Sequence, residues 1–427
     1  MMTANELLHS LESGKLKDAL AAAQTASGKF GSTSERAATL VKLFIDTYGG
    51  DRAACLISVP GRTELGGNHT DHQRGRVLAA SVDMDILAVV APSKEKRVRL
   101  RSVGFNREDN VELSDLAPQA REATHSPSLI RGVARWFSDH GLPVVGFDAY
   151  TQSEVPTGSG LSSSAAFEVA VGAAFRAVSG ADIDNVELAK AGQFAENVFF
   201  GKPCGLLDQT ACAHGGVVSM DFIDPSAPQI EGADLDLAGL GYALCITLTG
   251  GHHADLTEDY AAVPAEMKAV AAEFGESELR SVDEHTFLLG IGKLRKKLGD
   301  RAILRAIHFF DENQRVLALT DALKRGDFKE YLRLVNESGR SSWELLQNVF
   351  STSAPREQGV SLALALSEKA LRGEGACRVH GGGFAGTIQA YVPIDKVDAY
   401  RAVMGSVFGE NACRVLSIRK KGACVIA

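Results

Sequence analysis

The sequence predicts an α+β fold divided between two domains, and three observations lead there. At 427 residues the chain is longer than one core ordinarily holds. Short β-branched runs and longer helical periodicities are mixed along it. After Asp221 a loop-like stretch, Asp224-Pro225-Ser226 and Pro228, separates two structured halves. The expected division is a helical extension over 1–35, one domain over 36–225 and a second over 226–427. A cleft between the two domains is then the default place for a site.

The elements follow in order. Residues 4 to 47 have helical spacing, with Leu7, Leu8, Leu11, Leu16 and Leu20 before a Gly/Ser-rich break (Ser27 to Ser34) and Ala37, Leu40, Val41, Leu43 and Phe44 after it. Ala53 to Val59 reads as a strand that stops at Pro60-Gly61, and Val77 to Val90 as another, which leaves 60–76 as a loop. Strand-like Val144 to Gln152 runs into Pro156-Thr-Gly-Ser-Gly160, and Ala165 to Val178 is small, apolar and helix-compatible. A second helix is predicted from Val186 to Phe200, closed by Gly201, and Gly205 to Thr210 opens the next element. The second half begins with a strand, Tyr242 to Leu248. Helical patterns fill 257–349, with turns at Gly299-Asp300 and Gly326-Asp327, and strands return near 376–380, 386–392 and 413–426.

Composition excludes several classes. Lys and Arg number 45 against 53 Asp and Glu, giving a net charge of −8 with no long basic stripe, which argues against nucleic acid or an anionic membrane as partner. Between Met1 and Leu20 the leucines are interrupted by Glu6, Glu12, Lys15, Lys17 and Asp18, so a signal peptide is not expected, and no later stretch is long enough to span a bilayer. A cytoplasmic protein is expected. Seven widely spaced cysteines without a C-x-x-C pair read as reduced thiols.

Four motifs carry chemistry. In Pro156-Thr-Gly-Ser-Gly-Leu-Ser-Ser-Ser-Ala-Ala166, Gly158 and Gly160 allow a tight backbone turn. Ser162, Ser163 and Ser164 supply hydroxyls for phosphate or Mg²⁺, and the helix start behind them favours negative charge. The alternative is an ordinary Ser/Gly turn capping a helix. No G-K-[ST] is present, so a Walker A loop is excluded. Pro60 to Gly75 packs Arg62, Asn68, His69 and Asp71 between apolar strands: either a solvated loop or a group of donors and acceptors suited to sugar hydroxyls. A metal at His69-x-Asp71-His72 is disfavoured because Mg²⁺ prefers oxygen. Asp208, in Gly205-Leu-Leu-Asp-Gln209, is a carboxylate in apolar surroundings, equally a helix cap or a base. Gly381-Gly-Gly-Phe-Ala-Gly386 satisfies G-x-G-x-x-G, but Thr387 to Val392 reads as a strand where a dinucleotide fold needs a helix. A glycine loop lining a cleft, or a tight hairpin, remains.

In this order the motifs resemble the galactokinase branch of the GHMP kinases, the family of galactokinase, homoserine kinase, mevalonate kinase and phosphomevalonate kinase. Pro60-Gly-Arg-Thr-Glu-Leu-Gly-Gly-Asn-His-Thr-Asp-His72 is similar to P-G-R-x-N-L-I-G-E-H-T-D-Y, 156–166 to the family's phosphate loop and 380–387 to its third motif. The resemblance runs from about Phe44 onward. It implies a two-domain fold, ribosomal protein S5-like then ferredoxin-like, with the N-terminal helices as an addition. It also implies ATP and Mg²⁺ as cofactors and a small-molecule sugar as partner, with a monomer or weak homodimer as the assembly. By matched position, Asp208 and Arg62 are the catalytic pair. Asn68, His69, Asp71, Gly205 and Tyr260 touch sugar; Gly158, Gly160, Ser162, Ser163 and Ser164 hold ATP; Ser164 and Glu196 hold the metal. The implied reaction is phosphorylation of galactose at its C1 hydroxyl.

Departures from the pattern bear on the substrate. The family's glutamate is Asn68, its tyrosine is His72, its asparagine is Glu64, and the arginine-rich stretch after Tyr260 reads Ala261-Ala-Val-Pro264. The family's glutamate lies near the sugar's O6, and a neutral Asn no longer repels a carboxylate there, so galacturonate is the alternative substrate. A non-catalytic galactose sensor is the rival from another class. The intact Ser162 to Ser164 and Asp208 favour an enzyme.

Overall fold

The computed structural model describes residues 1–23, 32–156, 160–202, 204–250 and 256–427. The chain opens with β1 (Met2–Thr3), α1 (Ala4–Glu12), α2 (Lys17–Ala23) and α3 (Thr33–Tyr48). Two long strands follow, β2 (Ala53–Gly66) and β3 (Arg76–Pro92), then β4 (Arg97–Ser102), β5 (Asp109–Glu112), α4 (Ser126–Asp139) and β6 (Phe147–Ser153). Helices α5 (Ser163–Ser179), α6 (Asn185–Phe194) and α7 (Leu207–His214) precede β7 (Val217–Asp221), β8 (Gln229–Ala233) and β9 (Tyr242–Leu248). Next come α8 (Thr257–Ala272), α9 (Glu284–Leu298), α10 (Asp300–Lys324), α11 (Phe328–Ser341) and α12 (Gly359–Leu371). The chain finishes through β10 (Ala376–His380), β11 (Thr387–Pro393), α13 (Val397–Phe408), β12 (Cys413–Leu416) and β13 (Cys424–Val425). Among the described residues no helix is long and apolar enough to cross a membrane.

Two sheets result. The first runs β1-β2-β3-β6-β4-β5, with β7 and β8 attached through β3 and β13 through β2; β4 and β6 are its parallel neighbours. The second runs β10-β11-β9-β12, all antiparallel, which is the ferredoxin-like order, and α12 and α13 bury Val360, Leu364, Tyr400 and Met404 with its strands.

Both faces of the first sheet are covered, which explains the near-continuous apolar runs of β2 and β3. Ile57, Val59, Ala88 and Val90 face the core shared with α4 and α5. The alternate residues Leu56, Leu87 and Val89 pack on Leu7, Leu40, Val41 and Phe44 of α1 and α3. The helical start is therefore part of the sheet's packing, and β1 pairs directly with Ala53 and Ala54. Two capping boxes set where its helices begin: Thr3 with Glu6, and Ser32 with Glu35.

Two expectations are corrected. Strand β2 does not stop at Pro60; it continues to Gly66 with register shifts between Pro60 and Arg62 and between Glu64 and Gly66, so the loop shortens to 67–75. Proline is tolerated because β13 pairs only with Ile57 and Ser58, leaving Pro60 on an open edge where its missing N–H costs nothing. The final apolar stretch divides: β12 joins the second sheet and β13 returns to the first. Between them Arg419, fully buried, donates to Ser58 Oγ at 2.8 Å and lies 3.3 Å from Asp85, which also pairs with Arg36 of α3 at 3.0 Å.

Candidate active site

Strand β2 carries Arg62 to the start of α7. Gly61 permits this, because a Cβ there would meet the Leu161 carbonyl at 2.9 Å; the approach lets the Arg62 N–H donate to that carbonyl at 3.2 Å. Asp208 lies in the first turn of α7. Arg62 grips it as a fork, Nε to Oδ1 at 2.6 Å and Nη2 to Oδ2 at 2.7 Å, while Nη1 donates to the Gly160 carbonyl. Ser162 donates its hydroxyl to the same carboxylate. Burial works to raise the Asp208 pKa, but the Arg62 charge and the bonds from Arg62 and Ser162 outweigh it and hold the carboxyl below its usual range.

The glycine loop meets this couple from the other side. Gly158 lies outside the described residues. Gly160 has φ +71°, and a Cβ there would meet Thr387 Oγ1 at 2.6 Å and His380 Nδ1 at 2.8 Å, so the loop is seated on the β10–β11 hairpin. That hairpin is what Gly381 to Gly386 form. Ser163 opens α5, and among the described residues no side chain caps the helix, so its first-turn N–H groups are suited to an incoming anion. Ser164 donates to Glu196 at 3.2 Å. Glu196 sits in a π-helical turn, Ala195–Phe200, that follows α6, a widening often found at functional sites. It also accepts from Lys202 at 2.9 Å and from Gln209 at 3.0 Å.

Glu168, Lys202 and Gln209 were not singled out from the sequence as functional. Gln209 Nε2 bridges Glu196 and the fully buried Glu168, at 3.0 and 2.9 Å. Burial, then the neighbouring Glu196, pushes Glu168 well above the ordinary range. The available signals were spacing: Glu168 is one helical turn past Ser164, and Gln209 adjoins Asp208. Among the described residues no cluster of three or more His, Cys, Asp or Glu could hold a metal. Ser164 and Glu196 are hard oxygen donors, a set that suits Mg²⁺ arriving with phosphates of its own.

Loop 67–75 presents Asp71 toward this centre. Only glycine fits at 205, since a Cβ would overlap the Asp71 carboxylate. Burial, then the Asp208 charge, pushes Asp71 up to about 7. Between its unfolded value of 3.8 and about 7 the folded chain therefore holds the extra proton, and a destabilising term grows until it is complete above about pH 7. Asp71→Asn is expected to raise the melting temperature more at pH 8 than at pH 5; equal gains at both would overturn this account.

The other sugar-loop residues grip the glycine hairpin. His69 Nε2 donates to the Gly382 carbonyl at 2.9 Å, and burial lowers its pKa to about 4, so the ring is neutral. Tyr260 donates to the Gly383 carbonyl at 2.9 Å. Asn68 was expected to face a sugar, yet it is fully buried. Its Nδ2 donates to the Gly381 carbonyl at 2.7 Å and to Glu64 at 3.1 Å, and its Oδ1 accepts from Asn348 at 2.8 Å and Ser342 at 3.3 Å. Both ends of the amide are consumed inside the protein. Glu64 in turn is paired with the fully buried Arg378 at 2.5 Å.

An ionised carboxylate fixed beside a helix start and a pair of hard oxygen donors is the build of a small-molecule phosphotransferase. Likeness to known proteins agrees. The family model described as GHMP kinases N terminal domain matches residues 128–216, and the galactokinase galactose-binding signature matches 42–92. The galactokinase of Glaesserella parasuis serovar 5 (strain SH0165) is 30% identical over 349 residues, covering 82% of this chain and 88% of that protein. That of Actinobacillus pleuropneumoniae is 29% identical over 356 residues, covering 83% and 89%. The crystal structure of Lactococcus lactis galactokinase complexed with galactose shares the fold, with a TM-score of 0.78 at 24% identity over 90% of this chain and 98% of that one. The chain belongs to the GHMP kinase family, in its galactokinase branch.

Proposed function

We propose that the protein transfers the γ-phosphoryl group of ATP to the anomeric C1 hydroxyl of galactose or a galactose-configured sugar. The observation that carries this is the shared hold on Asp208: Arg62 reaches it from the sugar-loop strand and Ser162 from the phosphate loop. A group bonded to both loops sits where donor and acceptor substrates meet. In this reading the C1 oxygen bonds to the γ-phosphorus as the bond to the ADP oxygen breaks. A carboxyl held below its usual range is a weak proton acceptor, so Asp208 chiefly orients the hydroxyl and takes its proton only late, once the bond to phosphorus is largely formed, as suits a loose phosphoryl-transfer transition state.

The remaining roles follow the chain's own donors. Gly158, Gly160 and the first turn of α5, with Ser163 and Ser164, cradle the phosphates. Mg²⁺ held by Ser164 and Glu196 would neutralise phosphate charge. Asp71, with Gly205 making room for it, and His69 and Tyr260, through the hairpin they secure, shape the sugar pocket; Asn68 contributes only by locking Glu64 and the hairpin. We assign the sugar and phosphate loops to a domain over 36–225 and the closing hairpin to one over 226–427. ATP as donor fits a cytoplasmic setting.

Coupled ADP release is the direct test, across galactose, galacturonate, N-acetylgalactosamine and arabinose. Sugar-dependent release with at least one of them is expected. Retained sugar binding without release would instead favour a sensor.

A further inference from the structure

His380, the last residue of β10, is buried between the two halves of the site. Burial, then the Arg62 and Arg378 charges, holds its pKa well below the ordinary value, so the ring is neutral and its two nitrogens play opposite parts. Strand β2 fixes which is which. The Glu64 N–H approaches Nε2 at 3.4 Å, and a backbone N–H only donates. Thr63 Oγ1 lies 3.0 Å from the same nitrogen and already accepts from Gln389 Nε2 at 2.7 Å, so its own proton is turned to the ring. The Gln389 amide is oriented in its turn by the Glu64 carbonyl, which accepts from its nitrogen at 3.0 Å. Nε2 is therefore the acceptor, and Nδ1 carries the proton.

That proton faces Thr387 Oγ1, 3.2 Å away on the first residue of β11, and the Thr387 hydroxyl donates back to the His380 carbonyl at 3.4 Å. Nδ1 and Thr387 Oγ1 are the two atoms against which Gly160 is seated. One end of the ring thus holds the backbone directly after Arg62, and the other holds the floor of the phosphate loop. Arg62 closes the circuit by donating to the Gly160 carbonyl. Both polar ends of the imidazole are spoken for, which a ring that merely filled space would not require.

We propose that His380 is a positioning residue, a neutral strut that sets the separation between Arg62, with the Asp208 it grips, and the phosphate loop. Buried as it is, it acts through those groups and not on a substrate. This rests on the phosphotransfer reading and deepens it: acceptor and donor must be held at bonding distance, and a small misplacement of either is costly. The two ends are separable. A glutamine amide oxygen falls near the place of Nε2, and an asparagine amide nitrogen near that of Nδ1.

The test compares the full-length wild type, His380→Gln, His380→Asn and Thr387→Val in sugar-dependent ADP release and in direct binding of ADP. His380→Gln keeps the strand end and drops the loop end, so KM for ATP and the ADP dissociation constant should rise about tenfold while kcat stays within about threefold. His380→Asn keeps the loop end and drops the strand end, so kcat should fall about tenfold while ADP binding stays within about threefold. Thr387→Val removes the hydroxyl and keeps the shape; it should repeat the glutamine result and decides the matter if the His380 variants fail to fold. A space-filling role predicts a lower melting temperature with kcat and KM unchanged. That outcome overturns the inference, as does the same constant moving in both His380 variants or Thr387→Val binding ADP like the wild type. Absence of sugar-dependent release in the wild type overturns the proposed reaction instead, and ADP binding by the variants then still decides the strut.

Discussion

Asp208→Asn should lower kcat by about two to four orders of magnitude while nucleotide binding stays within a few-fold of the wild type. The amide keeps the shape of the carboxylate but loses the charge that Arg62 and Ser162 hold in place. Arg62→Met should be comparably damaging by a different route. It removes both the fork on Asp208 and the bond to the Gly160 carbonyl, so the strand and the phosphate loop lose their shared anchor. It also removes the charge that lowers Asp208, so that carboxyl's pKa rises. Residual activity in Arg62→Met should then fall off at higher pH than in the wild type as conditions become acid. Steady-state rates over pH, with nucleotide binding measured separately, check both variants. Near-normal turnover in either would sink the assignment.

Arg378→Met should be the most destabilising single change at the junction of the two sheets, by about 3–5 kcal/mol at neutral pH. Its guanidinium is fully buried and pairs with Glu64, whose carboxyl is nearly inaccessible too, so removal strands a charge in the interior. Burial already raises the Glu64 pKa despite Arg378, and losing the arginine raises it further. The sign follows: the penalty is fully present above the raised value and fades as pH falls through it, because a protonated Glu64 needs no cation. Denaturant titration at two pH values measures this. Glu64→Gln combined with Arg378→Met should cost less than the two single changes added together, since neither partner is then left alone.

Much of the candidate site is local in sequence. Glycines at 160 and 205, hydroxyls at the start of α5 and a carboxylate at the start of α7 announce themselves within a few residues. What escaped depended on distant partners. Pro60 looked like a strand terminator because the short reach of β13, some way along the chain, decides whether its missing N–H matters. Asn68 looked free for a ligand because Ser342, Asn348 and Gly381, which exhaust it, are far off in sequence. Glu168 looked like a helix residue among alanines until the fold brought Glu196 and Gln209 against it. Local chemistry is written in the sequence; satisfaction of that chemistry is written in the topology.

The return of β13 to β2 bears on how the protein is made. Arg62 lies on a strand whose second neighbour, and whose Arg419 bond to Ser58, come from the far end of the chain. While the ribosome is still producing the second sheet, β2 exposes an unpaired edge four residues before Arg62. Helices α4 to α7, which pack on that sheet, are made by then, but its edge is not complete. Activity should therefore appear only after residues 417–425 have emerged, and in the interval that edge is the segment of the nascent chain most open to mispairing and to chaperone capture.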